Sequence, residues 1–362
     1  MEASALVRDR RRFGPGELAG DPHRVLKTPL PSQVHLWLAT AAAGDMMGQM
    51  SNSLAGLLAD AELAAFVEAL RETPGPSARQ MGPVALREAQ RKRVEARPRG
   101  PELAAVEDLV VPGGVVVRLY RSAFQPRPLV VFLHGGMWTI GDLDSHDRAC
   151  RRLSASAQVA VLAVDFRRAP EHPWPAAVED VTHAVRWAFD HQTKLTGTDR
   201  TLVIAGDSSG GNLAALACLR LRDEGGPLPR AQILAFPNTD LTLSQPSVTA
   251  KATGWGLCAD DVAWGAELWV PDPTLRADPK VSPLHATDLS SLPPAIIVTA
   301  EHDPLRDEGD LYAARLAAAG VPVQHRCEPK MIHGFLTLET VSPAAAQAAE
   351  RLFADIARLR DQ

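Results

Sequence analysis

Cysteine is scarce in this sequence, and the few cysteines lie far apart. Among the 362 residues there are four, namely Cys150, Cys218, Cys258 and Cys327. They form no C-x-x-C pair and no framework of the kind that stabilises small secreted domains. This usage excludes a disulfide-stapled protein and fits a reducing cytoplasm, where we expect the protein to reside.

Long apolar runs and an excess of basic charge are also missing. No apolar run approaches the ~20 residues that span a bilayer, and the first residues lack the pattern of a signal peptide. The net charge of −5 provides no basic field for nucleic acid or an anionic membrane. There is no H-E-x-x-H, Cys/His cluster, G-x-G-x-x-G or P-loop. We therefore expect no metal, no cofactor, no membrane span and no nucleic-acid partner.

From Val106 onwards, short apolar strands alternate with helices. A Gly turn joins Asp108–Val111 to Val115–Tyr120 in a predicted hairpin. Further strands are predicted at Leu129–Leu133, Val159–Asp165, Thr201–Ala205, Gln232–Phe236, Ala295–Thr299 and Val321–Cys327, with helices near 145–157, 176–192, 209–223, 308–319 and 344–360. This alternation predicts an α/β fold whose central sheet is mostly parallel and covered by helices on both faces.

Two segments stand outside this alternation and are predicted to form a helical cap. An amphipathic helix starts at the N-cap Asp60, and a second one runs from Pro83 to Ala96. Residues 245–290 interrupt the later strands with three tryptophans and several prolines. We predict that residues 1–100 form an N-terminal arm and cap helices, and that residues 101–362 form the catalytic domain, with 245–290 contributing to the cap.

Two segments in the N-terminal part of the chain allow more than one interpretation. The stretch Val34–Leu58 is too apolar to lie exposed, so it covers either the cap and the active-site mouth or a second subunit, which leaves a homodimer open. The second cap helix carries several basic residues, Arg87, Arg91, Lys92, Arg93 and Arg97. Since the whole chain is acidic, a solvated helix face is favoured there over a nucleic-acid contact.

The stretch Gly206–Gly211 has the form G-x-S-x-G between a strand and a helix. This is the context of a nucleophile elbow, a tight turn whose flanking positions take only small residues, here Gly206 and Gly210. The turn lifts the Ser208 hydroxyl above the strand ends. Unpaired N–H groups at the start of the following helix point to the same place. Ser208 is therefore the predicted nucleophile.

Three further strand ends carry residues that complete this chemistry. A Gly-rich turn, His134–Trp138, follows one strand, Asp303 follows another and His333 follows the last. Each feature alone also fits a role that involves no catalysis: a plain turn, a helix N-terminus or a surface histidine. The chain order Ser208, Asp303, His333 is, however, the order of the triad in an α/β-hydrolase.

The motifs resemble those of the hormone-sensitive-lipase-like α/β-hydrolases, the group of bacterial carboxylesterases with a G-D-S-x-G-G motif. The matching pieces are His134–Gly136, Asp165–Pro173, Gly206–Gly211, Asp303–Gly309 and His333–Phe335. The similarity covers about residues 58–360, so residues 1–57 are an extension beyond the usual start. The resemblance implies an α/β-hydrolase fold with a helical cap.

The resemblance also implies an oxyanion hole and a substrate pocket. The oxyanion donors carried over are the backbone N–H groups of Gly135, Gly136, Met137 and Ser209. Met137 stands where the family usually has a third glycine, so we expect its side chain to narrow the space beside the oxyanion hole. Met137, Trp138 and Asp207 are predicted to line the pocket. Two other departures from the family, Phe166 and Arg168 in place of Tyr and Leu, are interpreted as packing variation.

These residues predict a serine carboxylesterase acting on a small-molecule ester with a small or medium acyl group. His333 would take the Ser208 proton and later protonate the departing alcohol, and Asp303 would orient the imidazole. The alternative is an acyltransferase or a cyclising, lactonising enzyme, in which a bound alcohol intercepts the acyl-enzyme. A non-catalytic ligand-binding protein is the third hypothesis, and the complete Ser208, Asp303 and His333 set argues against it.

Overall fold

The computed structural model describes residues 54–122, 128–199 and 202–359. The predicted arm of residues 1–30 and most of the apolar stretch Val34–Leu58 lie outside these ranges, so the choice between cap and dimer stays a prediction. The helices are α1 Ala61–Glu72, α2 Ala78–Ala96, α3 Asp147–Ala157, α4 Ala176–Thr196, α5 Ser209–Asp223, α6 Pro246–Ala250, α7 Ala259–Trp269, α8 Arg306–Ala318 and α9 Pro343–Arg358. The strands are β1 Ala105–Val110, β2 Val116–Arg121, β3 Leu129–Leu133, β4 Ala160–Asp165, β5 Leu202–Asp207, β6 Gln232–Ala235, β7 Ala295–His302 and β8 Val323–Ile332.

The eight strands form one sheet in the order β1-β2-β4-β3-β5-β6-β7-β8. The pairs β1–β2 and β2–β4 are antiparallel, and every later pair is parallel. The predicted α/β fold with a mostly parallel sheet is therefore confirmed. Because β3, β5, β7 and β8 all run in the same direction, the residues that follow them meet along one edge of the sheet.

Alternation along the strands divides the core into two layers. Val131 and Leu133 of β3 belong to the cluster on one face, while Val130 and Phe132 belong to the cluster on the other. Side chains of a strand point alternately to opposite faces, and both faces are covered here. The sheet is consequently a rigid platform for the loops at its edge.

Most element boundaries agree with the sequence pattern, and differences of three residues or more lie in α2, α4, β1, β7 and β8. Helix α2 begins at Ala78, because Ser77 and Gln80 form a capping box, and it kinks at Gly82 (φ 72°) before Pro83. Strand β7 runs three residues further than predicted, to His302. Strand β8 starts two residues later and ends five residues later than predicted.

The two segments predicted to form the cap contact each other. The Ala78 N–H donates to Asp261 Oδ1 at 2.9 Å, and Arg79 pairs with Glu267 of α7 at 2.7 Å. Arg71 of α1 donates to the Gly254 carbonyl at 2.7 Å. No helix in the three described ranges is both long enough and apolar enough to cross a bilayer.

Candidate active site

Ser208 occupies a sharp turn between β5 and α5. Its φ of 54° and ψ of −122° are unusual for a residue with a side chain. The backbone around it leaves no room for side chains at the flanking glycines. A Cβ at Gly206 would lie 2.3 Å from the Gly210 carbonyl oxygen, and one at Gly210 would lie 2.0 Å from the Leu133 carbonyl oxygen. The turn therefore has the geometry of the predicted nucleophile elbow.

The three residues predicted to form a triad lie within hydrogen-bonding distance of one another. His333 Nε2 lies 3.0 Å from Ser208 Oγ, and His333 Nδ1 lies 2.7 Å from Asp303 Oδ2. Both distances fall in the range over which a nucleophile, a base and an orienting acid act together. Asp303 is completely buried, so its carboxylate is shielded from competing water.

Asp303 and His333 are each held by a further contact. The second oxygen of Asp303 accepts the Leu305 N–H at 2.8 Å, just before α8, so the residue has a local structural role as well. The His333 ring packs edge-on against Phe236, with 4.7 Å between the ring centroids. These contacts fix the orientation of the carboxylate and of the imidazole.

Backbone N–H groups converge beside Ser208. Among the described residues, no acceptor bonds the N–H groups of Gly136, Met137 and Ser209, which lie at the start of α5 and in the loop after β3. The Gly135 N–H differs, because it donates to Asp207 Oδ1 at 2.9 Å. Three of the four predicted donors thus remain available to an oxyanion, and Gly135 is removed from the set.

Asp207 holds the loop that carries these donors. Besides the Gly135 N–H, its carboxylate faces His146 Nε2, which lies 3.3 and 3.4 Å from the two oxygens. Burial alone would raise the pKa of Asp207, but His146 and the Gly135 N–H lower it below its usual value. Asp207 borders the cavity, yet its oxygens are engaged in positioning the Gly135 backbone.

His134 is buried beside this network and stays neutral. Its ring stacks on Phe166 at 4.3 Å, and its Nδ1 lies 2.9 Å from the Gly135 carbonyl oxygen. Nε2 is buried and has no partner among the described residues. Burial, reinforced by the charge of His146, lowers the pKa of His134 to about 3. Phe166, which replaces the family's tyrosine, thus has a packing role.

The depressed pKa of His134 predicts a loss of stability in acid. The unfolded chain binds this proton below about pH 6.5 and the folded chain does not, so stability falls as pH decreases from about 6.5 towards 3. This single group should lower the free energy of unfolding by about 2 kcal/mol between pH 7 and pH 5. Urea unfolding at both pH values measures the loss.

The matched variants for this prediction are His134→Gln and His172→Gln. His172 is exposed, so its replacement should leave the loss between pH 7 and pH 5 as in the wild type, whereas His134→Gln should reduce it. An equal loss in all three proteins would show that other groups cause the acid dependence.

Met137 connects the oxyanion loop to the cap. It adopts a φ of 55°, in the left-handed region that favours glycine. Its side chain packs beside Leu86 and Trp264. A Cβ at Gly265 of α7 would lie only 2.7 Å from the Met137 Cβ. The position therefore combines a glycine-like backbone with a side chain that the cap covers.

A cavity of about 270 Å³ opens over Ser208 and His333. Gly136, Met137 and Asp207 border it, as predicted for the last two. The prediction that Trp138 lines the pocket is wrong. Its indole is buried, stacks on Trp269 at 4.4 Å and donates to Asn212 Oδ1 at 3.3 Å. The Trp138 side chain therefore belongs to the hydrophobic core that supports the loop.

The interpretation of α2 as a helix with a solvated basic face is wrong for three of its arginines. Arg87 forms a bidentate pair with Glu171 at 2.7 and 2.8 Å and donates to the Thr139 carbonyl at 2.8 Å. Arg93 and Arg97 line the cavity. Arg93 lies on α2 and Arg97 directly follows its last residue, so the part of this segment that borders the cavity carries polar side chains.

Two residues whose role the sequence does not predict, His146 and Arg168, support the Gly-rich loop after β3. His146 contacts Asp207, and no local sequence pattern marks it as more than a helix N-cap. Arg168, which the sequence analysis interprets as packing variation, donates to the Gly141 carbonyl at 2.6 Å. Across the described ranges, no group of three His, Cys, Asp or Glu side chains is arranged to hold a metal ion.

Curated proteins similar to this chain include carboxylic ester hydrolases. The carboxylic ester hydrolase LipN of Mycobacterium tuberculosis is 43% identical over 280 residues, which cover 74% of this chain and 74% of LipN. The carboxylesterase NlhH of the same organism is 44% identical over 236 residues, covering 64% of this chain and 73% of NlhH.

Solved structures with a similar fold likewise include hydrolases and esterases. The α/β-hydrolase enzyme LAE6, from the metagenome of Lake Arreo in Spain, superposes with a TM-score of 0.79 at 32% identity and covers 85% of this chain and 100% of its own. A hyperthermophilic esterase from Pyrobaculum calidifontis superposes with a TM-score of 0.74 at 35% identity, and the match covers 82% of this chain and 97% of the esterase. A family model described as the alpha/beta hydrolase fold matches residues 130–337. The chain therefore belongs to the α/β-hydrolase family.

Proposed function

We propose that this carboxylic ester hydrolase is a serine esterase that uses Ser208, His333 and Asp303 through an acyl-enzyme intermediate. The observation that carries the proposal is the chain of contacts from Ser208 Oγ to His333 Nε2 at 3.0 Å and from His333 Nδ1 to Asp303 Oδ2 at 2.7 Å. The relatives named above, at 43% and 44% identity, act on carboxylic esters and support the same reaction.

In the first half of the reaction, Ser208 Oγ attacks the ester carbonyl carbon. His333 Nε2 takes the hydroxyl proton as the O–C bond forms, and Asp303 stabilises the resulting imidazolium. The imidazolium then gives this proton to the alkoxide oxygen as the C–O bond to the alcohol breaks. The alcohol leaves, and the acyl group stays on Ser208.

In the second half, water replaces the alcohol. His333 takes a proton from water, the hydroxide oxygen bonds to the acyl carbon, and the proton returns to Ser208 as the acid leaves. In both halves the negative charge on the carbonyl oxygen would be stabilised by the N–H groups of Gly136, Met137 and Ser209. Losing one such donor typically raises the barrier by about 3 kcal/mol.

The proposed substrates have small or medium acyl groups. The cavity of about 270 Å³ and the Met137 side chain at its border support this size class. The test is a panel of esters graded in acyl and alcohol size, with chromatographic analysis of the products in the presence of an added alcohol. Free acid in proportion to the consumed ester supports a hydrolase, whereas a new ester or a lactone as the main product supports the transferase alternative.

We expect Met137→Gly to favour bulky esters. Removing this side chain opens the space that the family's glycine leaves, so the ratio of kcat/KM for bulky esters to that for compact ones should rise about tenfold. Glycine adds entropy to the unfolded chain and the packing against α7 is lost, so stability should fall, while the φ of 55° suits glycine and offsets part of this loss. Initial rates with 4-nitrophenyl butyrate and a branched 4-nitrophenyl ester give the ratio.

The control for this variant is Met81→Ala. Met81 packs in the same cap cluster as Met137 but does not border the cavity. It should therefore lower stability without changing the ratio. A ratio that Met137→Gly leaves at the wild-type value would mean that the Met137 side chain does not limit the space for the substrate.

A further inference from the structure

The loop between α6 and α7 forms part of the mouth of the cavity over Ser208. Gly256 and Leu257 of this loop border the cavity together with Ile332, which directly precedes His333. A Cβ at Gly256 would lie 3.4 Å from Ile332 Cδ1, so the loop lies close to the strand end that carries the proposed base. The contacts that fix this loop therefore also fix one wall of the cavity.

The loop is short and closed at its base. The Ala259 N–H donates to the Ala252 carbonyl oxygen at 2.9 Å. Between these ends, Trp255 stands between Gly254 and Gly256, whose φ values of 79° and 90° are conformations that other residues rarely adopt. Residues 251–258, all of which the structure describes, form neither a helix nor a strand. The position of the loop therefore depends on its side-chain contacts.

Trp255 makes most of these contacts. Its ring stacks on His302, with 4.1 Å between the ring centroids and 7° between the planes. The guanidinium carbon of Arg71, on α1, lies 4.6 Å from the Trp255 ring centroid, and Lys251 Nζ lies 4.8 Å from it. Stacked rings and cations close to an indole both attract it. Arg71 Nε also donates to the Gly254 carbonyl at 2.7 Å, so α1 binds the backbone of the loop as well.

His302 is a fixed partner for the indole ring. It is buried at the end of β7, directly before Asp303. Its Nε2 lies 2.9 Å from the Leu57 carbonyl oxygen, which can only accept, so Nε2 carries the proton. Nδ1 is then the acceptor for Lys251 Nζ, 3.1 Å away. Burial lowers the pKa of His302, and the charge of Lys251 adds to this shift, so the ring is neutral at pH 7.

Trp255 also packs against the hydrophobic cluster beneath the cavity. This cluster contains Ile332, and Phe66 of α1, another residue of the cavity wall, packs against it as well. Trp255 thus joins the loop to α1, to the end of β7 and to the core. A wall that is held by close-packed neighbours on several elements yields little, so it limits the size of a group that lies beside it.

We propose that Trp255 is a positioning residue that fixes Gly256 and Leu257 as a wall of the cavity and thereby limits the bulk of the ester that is accepted. This role rests on the esterase function proposed above. Without the indole the loop loses its contacts to His302 and to Arg71, so the wall can move outwards. Bulky esters should then gain relative to compact ones, since a single methylene group in an apolar pocket changes kcat/KM about tenfold or more.

The first test compares two bulky esters with ethyl butyrate. Ethyl cyclohexanecarboxylate places the bulk on the acyl side, and cyclohexyl butyrate places it on the alcohol side. In at least one series Trp255→Ala should raise the ratio of bulky to compact kcat/KM by about fivefold or more, and that series identifies the group beside the wall. Trp255→Phe keeps an aromatic ring for the stack, so both ratios should stay within about twofold of the wild type.

Trp187→Ala is the matched control for Trp255→Ala. Trp187 also stacks on a histidine, His191, at 4.6 Å, and it is partly buried against the other core cluster, but it does not border the cavity. Its replacement should lower stability and leave both ratios within about twofold of the wild type. Ratios that Trp255→Ala leaves unchanged in both series, or that Trp187→Ala changes equally, overturn the proposal and leave the esterase function intact.

The second test measures the loop without any turnover. Hydrogen exchange followed by mass spectrometry should show that the backbone amides of residues 251–258 exchange about fivefold faster or more in Trp255→Ala than in the wild type. Trp187→Ala should leave them unchanged. If the wild type hydrolyses no ester, the proposed function fails, and this measurement still judges whether Trp255 holds the wall. Equal exchange in Trp255→Ala and the wild type overturns the proposal.

Arg71→Gln is a milder variant that decides the matter if Trp255→Ala does not fold. Arg71 is exposed, so its replacement should keep the fold while removing the guanidinium group beside the indole. The ester ratio and the amide exchange should both rise about twofold or more. Its control is Arg79→Gln, which removes another exposed arginine of the cap, one that pairs with Glu267 on α7 instead of the loop. No rise in Arg71→Gln, or an equal rise in Arg79→Gln, overturns the proposal.

Discussion

Replacing Ser208 with alanine should lower kcat/KM for 4-nitrophenyl butyrate by about 10⁴-fold to 10⁶-fold, because a triad acts as a unit and loses nearly all its function with any one member. The fold should be retained, since alanine keeps the Cβ at this sharp turn and, among the described residues, Ser208 Oγ hydrogen-bonds only to His333. Initial rates at substrate concentrations below KM, combined with a thermal unfolding curve, measure both effects.

Ser209→Ala is the matched control for Ser208→Ala. The Ser209 hydroxyl is buried and has no partner among the described residues, and only the backbone N–H is proposed to act. We therefore expect a loss of less than about tenfold, which is small beside the loss of one oxyanion donor. If Ser209→Ala were inactive and Ser208→Ala active, the assignment of the nucleophile would be wrong by one position.

Asp303→Asn should be the second most damaging change. Asparagine has a similar shape and can still accept the Leu305 N–H, but it removes the charge that holds the His333 tautomer and stabilises the imidazolium. The corresponding change in the serine protease triad lowers kcat about 10⁴-fold, and we expect a loss of this order here. Stopped assays of ester consumption at neutral pH provide the rate.

A second aspartate–histidine pair provides the control for Asp303→Asn. Asp310 Oδ1 lies 2.9 Å from His325 Nε2, the two side chains are 36% and 32% exposed, and neither residue borders the cavity over Ser208. Asp310→Asn should change kcat/KM by less than about threefold, because an exposed pair contributes little. Similar losses in Asp303→Asn and Asp310→Asn would point to a general effect on folding, and the role of Asp303 in the mechanism would be rejected.

The sequence predicts the sheet well, and it places the three proposed triad residues at strand ends, because both inferences depend on local patterns. Ser208, Asp303 and His333 each follow an apolar strand, and a parallel sheet brings such strand ends to one edge. The capping box of Ser77 and Gln80 is also a local signal. Pro83 is a typical first residue of a helix, yet here the helix starts at Ala78 and continues through a kink at Gly82.

The features that sequence reasoning missed depend on contacts between distant segments. Gly135 is unavailable as an oxyanion donor because Asp207, 72 residues later in the chain, accepts its N–H. Trp138 is withdrawn from the pocket by stacking on Trp269. Arg93 and Arg97 border the cavity because of where α2 packs in the fold. An amphipathic pattern alone does not show whether the polar face of a helix meets solvent or a polar cavity.

The most direct test of the proposed mechanism is to identify the residue that a serine-directed fluorophosphonate modifies. Peptide mass spectrometry after labelling should find one phosphonylated residue, Ser208, with loss of activity in proportion to labelling. Labelling should be absent in Ser208→Ala and strongly slowed in Asp303→Asn, because the hydroxyl is then not activated. An adduct on Ser209 or elsewhere, or full activity after complete labelling of Ser208, would contradict the proposed mechanism.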